Sequence, residues 1–286
     1  MSGDPSRPTA PVRPDLSLVL PCFNEEEVVE STVRDLLAAF EPAGHGLEQA
    51  GHGLEIVAVD NGSRDRTGQI LASLAASDPR VVTARVEVNQ GYGLGILTGL
   101  PLCTAPWVGL LCADGQVDAQ DVVKLFAARD RVAPPALLKV RRRFRQDGLK
   151  RKITSVLYNL GTNLLFGGLR TLDVNGNPKL FPRELLPALD LKSRDWFLDA
   201  EIMIKAKKLG LRVVEVDVPG QLRRGGASNV RLGTCFEFAR NLLACRFGGD
   251  PRAAPRATAA ASGATATSSA AAPSPGTPGT VRAGRS

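Results

Sequence analysis

Residues 16–27 read LSLVLPCFNEEE, and their pattern gives the first indication of the fold. Its first part is a short apolar run that ends near a proline, and its second part is polar. Apolar residues at helical spacing follow at Val28, Val29, Val33, Leu36 and Leu37. A short continuous apolar run is typical of a buried strand, and spacings of three and four residues are typical of one helix face. The stretch therefore predicts a strand, a polar turn and a helix in that order.

The same order of elements repeats down the chain. Apolar strands are predicted at 56–59, 81–86 and 107–113, with helices to about Ala76, from the glycine-rich turn at 91 and over 121–128. Helices between consecutive strands act as crossover connections, so the sequence predicts an α/β fold with an open, mainly parallel sheet and helices on both faces. In such sheets ligands bind beyond the carboxyl ends of the strands. Polar residues follow three of the strands, at 24–25, 60–65 and 114–118.

Weaker patterns predict further elements in the second half of the chain. These are a long helix from near Leu149, helices at 199–209 and 229–247, and a late strand at 211–218. One face of the first helix is apolar and includes Leu160 and Leu164. This face is compatible both with packing in the core and with contact with lipid.

Composition divides the chain into three parts. Residues 1–15 are rich in proline and lack the apolar run of a signal peptide, and residues 250–286 are nearly all Ala, Pro, Ser, Thr and Gly. Such segments bury too little apolar surface to offset the entropy of ordering, so both are predicted to be disordered. The folded domain is expected over residues 16–249, in a cytoplasmic protein.

The formal net charge of +7 is concentrated in one internal segment and in the tail. Eight bases lie between Lys139 and Lys152, opposed there only by Asp147. Such a run suits a phosphate group, an anionic bilayer or nucleic acid, and it is also compatible with a solvated surface. Because Phe144 is the sole aromatic residue among these bases, we expect no nucleic-acid binding.

Cysteine spacing and hydropathy exclude further classes of protein. The five cysteines include no Cys-x-x-Cys pair and have no histidine at metal-ligand spacing, which argues against structural zinc and a disulfide framework. No apolar run approaches the roughly 20 residues that cross a bilayer, so any membrane contact should be peripheral.

Several strand ends carry recognisable motifs. PCFNEE at 21–26 and VDNGSRDRT at 59–67 resemble the paired signatures of family 2 inverting glycosyltransferases, and NQGYGLG at 89–95 resembles a glycine-rich segment of sugar transferases. The resemblance covers residues 16–247 and implies the GT-A fold and a GDP- or UDP-sugar donor. A strand-end carboxylate can bind the N–H edge of a nucleobase, and Asp60 is the candidate. The donor-binding residues implied are Pro21, Phe23, Asn24, Glu25, Asp60, Gly91, Asp114, Arg223 and Ser228.

The motif CADGQVD at 112–118 resembles the metal-binding segment of the same family. There an Asp-x-Asp pair, often followed by Gln, holds Mg²⁺ or Mn²⁺ on the donor diphosphate through hard oxygen ligands. Cys112 stands at the first Asp position, and a thiol is a poor ligand for a hard cation. Asp114 and Gln116 are therefore the predicted metal ligands, while Asp118 either assists them or caps the next helix.

Later motifs resemble the polyprenyl-phosphate glycosyltransferases, which are similar to dolichol-phosphate mannose synthase. They comprise the basic run at 142–155, the stretch at 173–181 and DWFLDAE at 195–201. The resemblance implies inverting transfer of a hexose, mannose by preference, to a polyprenyl phosphate, with the protein bound peripherally at the cytoplasmic face of a membrane. The predicted catalytic residues are Asp114, Arg142, Arg145, Arg151, Asp199 and Glu201.

Two other functions fit the same sequence. A transferase acting on a soluble hydroxyl acceptor would need a general base, which Asp199 or Glu201 could provide. A non-catalytic nucleotide-sugar-binding protein is suggested by Cys112, which leaves the metal motif incomplete. A Rossmann dinucleotide site is not supported, because its glycines should follow the first strand. At that position this chain has PCFNE, residues 21–25, which contains no glycine.

Overall fold

A single seven-stranded sheet forms the centre of the described structure. The structure is a computed structural model that describes residues 13–41, 53–143, 158–169, 171, 173–219, 240–243 and 245–247. The strands are β1 (Leu16–Cys22), β2 (Leu54–Asp60), β3 (Val81–Arg85), β4 (Trp107–Leu110), β5 (Ala136–Arg143), β6 (Lys179–Pro182) and β7 (Arg212–Pro219). The α-helices are α1 (Val29–Ala39), α2 (Thr67–Ser77), α3 (Tyr92–Gly99), α4 (Ala119–Ala127), α5 (described over 158–165), α6 (Leu186–Leu189) and α7 (Leu198–Lys208). Residues 240–243 and 245–246 are also helical.

The strand order is β3-β2-β1-β4-β6-β5-β7. β1 pairs in parallel with β2 and β4, β2 with β3, and β5 with β7. β6 is antiparallel to both of its neighbours, β4 and β5. The predicted open, mainly parallel sheet is therefore confirmed. Because β6 runs antiparallel between them, β4 and β5 point the same way, and their carboxyl ends lie at one edge of the sheet.

Side chains on β1 alternate between two separate parts of the core. Leu18 and Leu20 pack with residues of α1, α2 and α4, whereas Val19 packs with residues of α3 and α7. All three side chains are fully buried. A parallel strand covered on both faces reads as a continuous apolar run, which explains the opening stretch of sequence. The predicted helices on both faces are confirmed.

Most predicted elements are present, with small differences in their bounds. α7 and β7 confirm the helix and strand predicted near 199–209 and 211–218. β4 ends at Leu110 rather than near residue 113. The sequence patterns do not predict β5 and β6, because β5 ends in a run of arginines and β6 has only four residues.

The long helix predicted from near Leu149 is only partly described, since residues 144–157 lie outside the described ranges. In the described part, Tyr158 and Leu165 pack against the core. Leu160 and Leu164 do not, and they are 63% and 80% exposed. The part of the helix predicted at 229–247 that precedes residue 240 also lies outside the described residues. Of the two segments predicted to be disordered, 1–15 and 250–286, only residues 13–15 are described, so that prediction stays a prediction.

Ion pairs that are largely buried connect β5, β6, β7, α7 and the segment before β6. The pairs are Lys139 with Glu215, Lys179 with Asp199, and Arg142 with Asp173. Both lysines are fully buried. Removing a charge from water costs several kcal/mol, so a buried cation must be held by a carboxylate and by further hydrogen bonds. These pairs therefore fix the relative positions of the elements that carry them.

Arg142 and Asp173 form a two-pronged pair. The guanidinium donates Nε–H and Nη2–H to the two carboxylate oxygens, each at 2.9 Å, and Nη2 also donates to the carbonyl of Asn175 at 3.0 Å. Burial alone would raise the pKa of the Asp173 carboxyl. Its hydrogen bonds and charge attraction to Arg142, with help from Lys139, outweigh burial and hold that pKa well below its usual range.

Replacing Asp173 with Asn should lower the free energy of unfolding by about 3 kcal/mol at neutral pH, because Arg142 would stay buried without its carboxylate. Because the pKa of Asp173 is lowered in the folded state, the stability that its carboxylate provides is complete above the unfolded-state pKa of about 3.9. It should be lost as the pH falls through that value toward the lower folded-state pKa. Urea unfolding at about pH 7, 5 and 3 measures both effects.

The neighbouring pair of Arg141 and Asp217 supplies a matched control. Its arginine also lies on β5, but its carboxylate lies on β7, and the two side chains are 32% and 37% exposed. The Asp217→Asn variant should therefore lose much less stability than Asp173→Asn, because solvent screens this pair. Equal losses in the two variants would contradict a special role for the buried pair.

Candidate functional site

The loops that follow β1 and β2 are bonded to each other. The Asn24 N–H donates to Ser63 Oγ at 3.1 Å, and the Arg64 N–H donates to Asn24 Oδ1 at 2.9 Å. The Glu25 N–H donates to Thr67 Oγ1 at 2.9 Å. Asn24 also has a positive φ of 54°, a conformation that asparagine tolerates better than most residues. Asn24 therefore holds the two loops in register, and its predicted role in donor binding stays a prediction.

Asp60 lies at the end of β2, beneath the turn that follows it. Its Oδ1 accepts the Ser63 N–H at 2.9 Å, and its Oδ2 lies 3.7 Å from Arg85 Nη1. A Cβ on Gly68 would lie 2.6 Å from the same Oδ2, so glycine is needed for this close approach. Asp60 is only 4% exposed, which places its carboxylate behind the loop.

A cavity of about 230 Å³ lies at the carboxyl edge of the sheet. It is lined by Pro21, Phe23, Glu25, Asn61, Asn89, Gly91, Tyr92, Cys112, Ala113, Asp114 and Trp196. The structure thus brings together Pro21, Phe23, Glu25, Gly91 and Asp114 of the predicted donor-binding set. The wall from β2 is formed by Asn61 rather than by the predicted Asp60.

A larger cavity of about 800 Å³ lies at the opposite end of β4. Trp107, Arg129 and Arg183 contribute to its walls, together with several prolines. It contains none of the motif residues that follow the strands. Size alone therefore does not identify the functional site, and the smaller cavity is the one with converging polar groups.

Asn61 contributes a buried acceptor to the smaller cavity. Its Nδ2 donates to the carbonyl of Gly91 at 2.9 Å, which fixes the orientation of the amide. Its Oδ1 has no hydrogen-bond partner among the described residues, and Asn61 is 2% exposed. Buried polar atoms are normally paired, so this oxygen is suited to a ligand N–H or O–H. The sequence patterns contain Asn61 but do not single it out.

Tyr92 and Trp196 form an aromatic wall of the cavity. Their rings are stacked, with centroids 4.7 Å apart and planes at 2°. Tyr92 Oη accepts a hydrogen bond from Asn177 Nδ2 at 2.8 Å. Burial, reinforced by the nearby charge of Asp199, raises the pKa of Tyr92 well above its ordinary value. The phenol therefore stays neutral near physiological pH and presents a flat, rigid surface to the cavity.

Asp114 supplies a carboxylate at the end of β4. Its Oδ1 accepts the backbone N–H of Gln116 at 3.2 Å, and the residue is 8% exposed. Asp118 caps α4 by accepting the Gln120 N–H at 2.8 Å, which is the helix-capping role anticipated as one of its two possibilities. Among the described residues, no three His, Cys, Asp or Glu side chains cluster as metal ligands.

The donor set at Asp114 nevertheless fits a cation that is shared with a substrate. Mg²⁺ is commonly bound by one or two carboxylates together with substrate phosphates and water. Asp114 lines the cavity and can supply one such carboxylate. Cys112 lines the same cavity, but its thiol is a soft ligand and adds little affinity for a hard cation.

Asp199 and Glu201 are both engaged within the protein. The Glu201 carboxylate accepts the N–H groups of Lys192 and Ser193 at 3.1 and 2.8 Å, and pairs with Lys205 at 2.6 Å. Asp199 is 4% exposed and pairs with the buried Lys179. Glu201 therefore holds the loop before α7, and neither carboxylate lines the cavity.

The predicted arginines are described only in part. Arg142 is bound to Asp173 beside the site. Arg145, Arg151, Arg223 and Ser228 lie outside the described residues, and their roles stay predictions. β5 ends at Arg143, at the edge of the sheet where the cavity lies.

Comparison with known proteins identifies the family. The family described as Glycosyl transferase family 2 matches residues 17–186. An uncharacterized glycosyltransferase of Mycobacterium tuberculosis is 34% identical over 224 residues, which are 75% of this chain and 89% of the relative. A dolichyl-phosphate beta-glucosyltransferase of Trichomonas vaginalis is 25% identical over 235 residues, which are 80% of this chain and 72% of the relative.

Solved structures share the same architecture. Glucosyl-3-phosphoglycerate synthase from Mycobacterium tuberculosis, in complex with Mn²⁺, UDP and glucosyl-3-phosphoglycerate, has a TM-score of 0.62 at 20% identity. The likeness covers 83% of this chain and 81% of that one. The fold, the strand-end motifs and the family match agree: the chain belongs to glycosyl transferase family 2 and is a glycosyltransferase with the GT-A fold.

Proposed function

We propose that this glycosyltransferase moves a hexose, with inversion, from a nucleotide-diphosphate sugar to a polyprenyl phosphate. The observation that carries the proposal is the cavity at the carboxyl edge, where Asp114, the unpaired Asn61 oxygen and the Tyr92–Trp196 stack converge. Mannose is the first candidate sugar. Glucose is the second, because it is the sugar in the name of the Trichomonas vaginalis relative. GDP and UDP are the corresponding carriers.

The donor diphosphate would lie next to Asp114. Mg²⁺ or Mn²⁺ held by Asp114 and by diphosphate oxygens, with Gln116 nearby, would neutralise the charge that develops on the leaving group. The complexes of glucosyl-3-phosphoglycerate synthase with Mn²⁺ and UDP support this choice of cation. The Asn61 oxygen can accept a hydrogen bond from an N–H or O–H of the donor. The stacked rings can cover an apolar face of the bound molecule.

The acceptor chemistry favours a phosphate. A phosphate monoester has a second pKa near 6, so it is already ionised at neutral pH and needs little help from a general base. The main obstacle is repulsion between two anionic substrates. Arginines at the carboxyl end of β5 can reduce this repulsion, with Arg142 fixed by Asp173 and Arg145 and Arg151 following in the chain.

A hydroxyl acceptor is the weaker alternative. Such an acceptor would need a general base within hydrogen-bonding distance. The Glu201 carboxylate is held by two backbone N–H groups and Lys205, and Asp199 is paired with Lys179. Neither lines the cavity, so neither of the two predicted bases is placed to take a proton from an acceptor there.

A peripheral membrane contact is part of the proposal. No described helix combines the length and the apolar character that crossing a bilayer requires. Leu160 and Leu164 on α5 are strongly exposed, and Leu243 and Phe247 are 49% and 79% exposed. Exposed apolar side chains of this size can insert into the interfacial region of a bilayer, which would bring the enzyme to a lipid-linked acceptor.

Replacing Asp114 with Asn should lower kcat/KM for sugar transfer about 100-fold or more, because it removes the carboxylate that would hold the cation. Asp118→Asn is the matched control, since Asn preserves the helix cap and removes the same charge. It should remain within about threefold of wild type. The assay follows release of GDP or UDP and labelling of a short-chain polyprenyl phosphate, over a panel of donors with Mn²⁺ or Mg²⁺.

The same assay distinguishes the alternatives. Transfer to soluble alcohols without transfer to polyprenyl phosphate would disprove the lipid acceptor. Absence of turnover with every donor and acceptor, despite nucleotide binding, would favour a non-catalytic binding protein. Full activity of the Asp114→Asn variant would remove Asp114 from the mechanism.

Replacing Leu160 and Leu164 together with Ser should weaken binding to anionic lipid vesicles about tenfold or more, since each buried leucine contributes about 1.5–3 kcal/mol. Transfer to a short-chain, soluble acceptor should be unchanged. The control replaces two other exposed apolar residues, Val88 and Leu102, which are 66% and 40% exposed. Vesicle flotation measures binding, and equal flotation of both double variants would contradict a membrane role for α5.

A further inference from the structure

The turn that leads into β6 is fixed from several sides. Arg142 donates to the carboxylate of Asp173 and to the carbonyl of Asn175. Lys179 Nζ donates to the carbonyl of Gly176 at 2.9 Å. Asn177 follows in this turn and is 6% exposed. A buried carboxamide with a fixed backbone can hold its hydrogen-bond partners with little freedom.

Asn177, just before β6, is hydrogen-bonded to one residue after β4 and to one residue of α3. Its Oδ1 accepts the Cys112 N–H at 3.1 Å, and its Nδ2 donates to Tyr92 Oη at 2.8 Å. In the antiparallel register Leu110 pairs with Lys179, so residue 177 comes level with residue 112 just past the last paired residues. Proline at 178 has no N–H to offer there. The carboxamide of Asn177 therefore extends the β4–β6 ladder beyond its backbone end.

Both partners of Asn177 line the cavity. Cys112 precedes the loop that carries Asp114, and Tyr92 stacks on Trp196. Asn177 itself is not among the residues that line the cavity. It can therefore influence a ligand only through the groups that it holds.

We propose that Asn177 is a positioning residue that fixes the Asp114 loop relative to the Tyr92–Trp196 wall, and so sets the geometry of the metal-bound donor diphosphate. This inference rests on the proposed function. A cation shared between one carboxylate and a diphosphate tolerates little displacement of that carboxylate, because the other ligands come from the substrate. Misplacement of about 1 Å at a reacting centre can cost about 100-fold in rate.

The test compares Asn177→Ala with Asn175→Ala. Asn175 lies two residues earlier in the same turn, and within the described part of the chain its side-chain Oδ1 has no hydrogen-bond partner. Three quantities are measured: kcat, the Mn²⁺ concentration for half-maximal transfer, and the Mn²⁺-dependent binding of UDP and GDP by calorimetry. Asn177→Ala should raise the required Mn²⁺ concentration and weaken Mn²⁺-dependent binding about tenfold, and lower kcat about 10- to 100-fold. Asn175→Ala should leave the Mn²⁺ requirement unchanged.

Two milder variants separate positioning from loss of folding. Asn177→Asp keeps the acceptor for the Cys112 N–H and removes the donor to Tyr92, while Tyr92→Phe removes the partner of that donor and keeps the ring. Each should raise the Mn²⁺ requirement by a smaller factor than Asn177→Ala. Combining the two should cost less than the sum of the single effects, because both remove the hydrogen bond from Asn177 Nδ2 to Tyr92 Oη. Tyr92→Phe also removes the hydrogen bond between the Tyr92 hydroxyl and Cys112, so its single effect should be the larger of the two. Thermal unfolding of every variant shows whether it is folded, and these two carry the comparison if Asn177→Ala is not.

Failure of the inference is distinguishable from failure of the proposed function. Wild-type protein that neither binds nor turns over any nucleotide sugar with Mn²⁺ would overturn both. Active wild-type protein with the same Mn²⁺ requirement in the Asn177 and Asn175 variants would overturn the positioning role alone. Additive effects of Asn177→Asp and Tyr92→Phe would also contradict it.

Discussion

The structure depends on the burial of β1 on both faces and along both edges. Leu18, Val19 and Leu20 are fully buried between two layers of helices, and β1 pairs in parallel with β2 and β4. Parallel neighbours end at the same edge, so strand direction brings the loops after these strands together, and hydrogen bonds such as those of Asn24 then hold them in register. The candidate site is thus a consequence of strand direction, and its chemistry is supplied by loops.

The second half of the sheet is held differently. There the apolar core is joined by buried ion pairs, in which Lys139, Lys179 and Arg142 are each held by a carboxylate. Burial and the nearby charge of Lys179 lower the pKa of Lys139, although Glu215 and Asp173 oppose that shift. Charges in such an environment are costly to separate, so they keep their partners in fixed positions. A buried residue of a type that often acts as a catalytic acid or base, such as Asp199, can therefore instead hold neighbouring residues in position.

The division between holding and reacting groups could not be read from the motifs alone. Asn24 and Glu201 occur in motifs predicted to be functional, yet their side chains hold neighbouring loops. Conversely, Asn61 and Asn177 lie within or beside such motifs, and their importance appears only from their surroundings. A motif identifies a strand end, whereas the direction of each side chain depends on packing from distant parts of the chain.

The first half of the sheet, the helices that cover it and the strand ends that form the site could be predicted from the sequence, because hydrophobic periodicity and turn chemistry are local properties. The motifs at those strand ends also indicated the family. The sequence also identified Asp114 as the carboxylate at the end of β4. The exposure of Leu160 and Leu164 could be seen only from the packing of α5 in the folded protein. The antiparallel pairing of β6, the buried ion pairs and the hydrogen bonds of Asn177 likewise required the tertiary structure. These features join residues separated by tens of positions in sequence, and a contact between such residues exists only once the chain has folded.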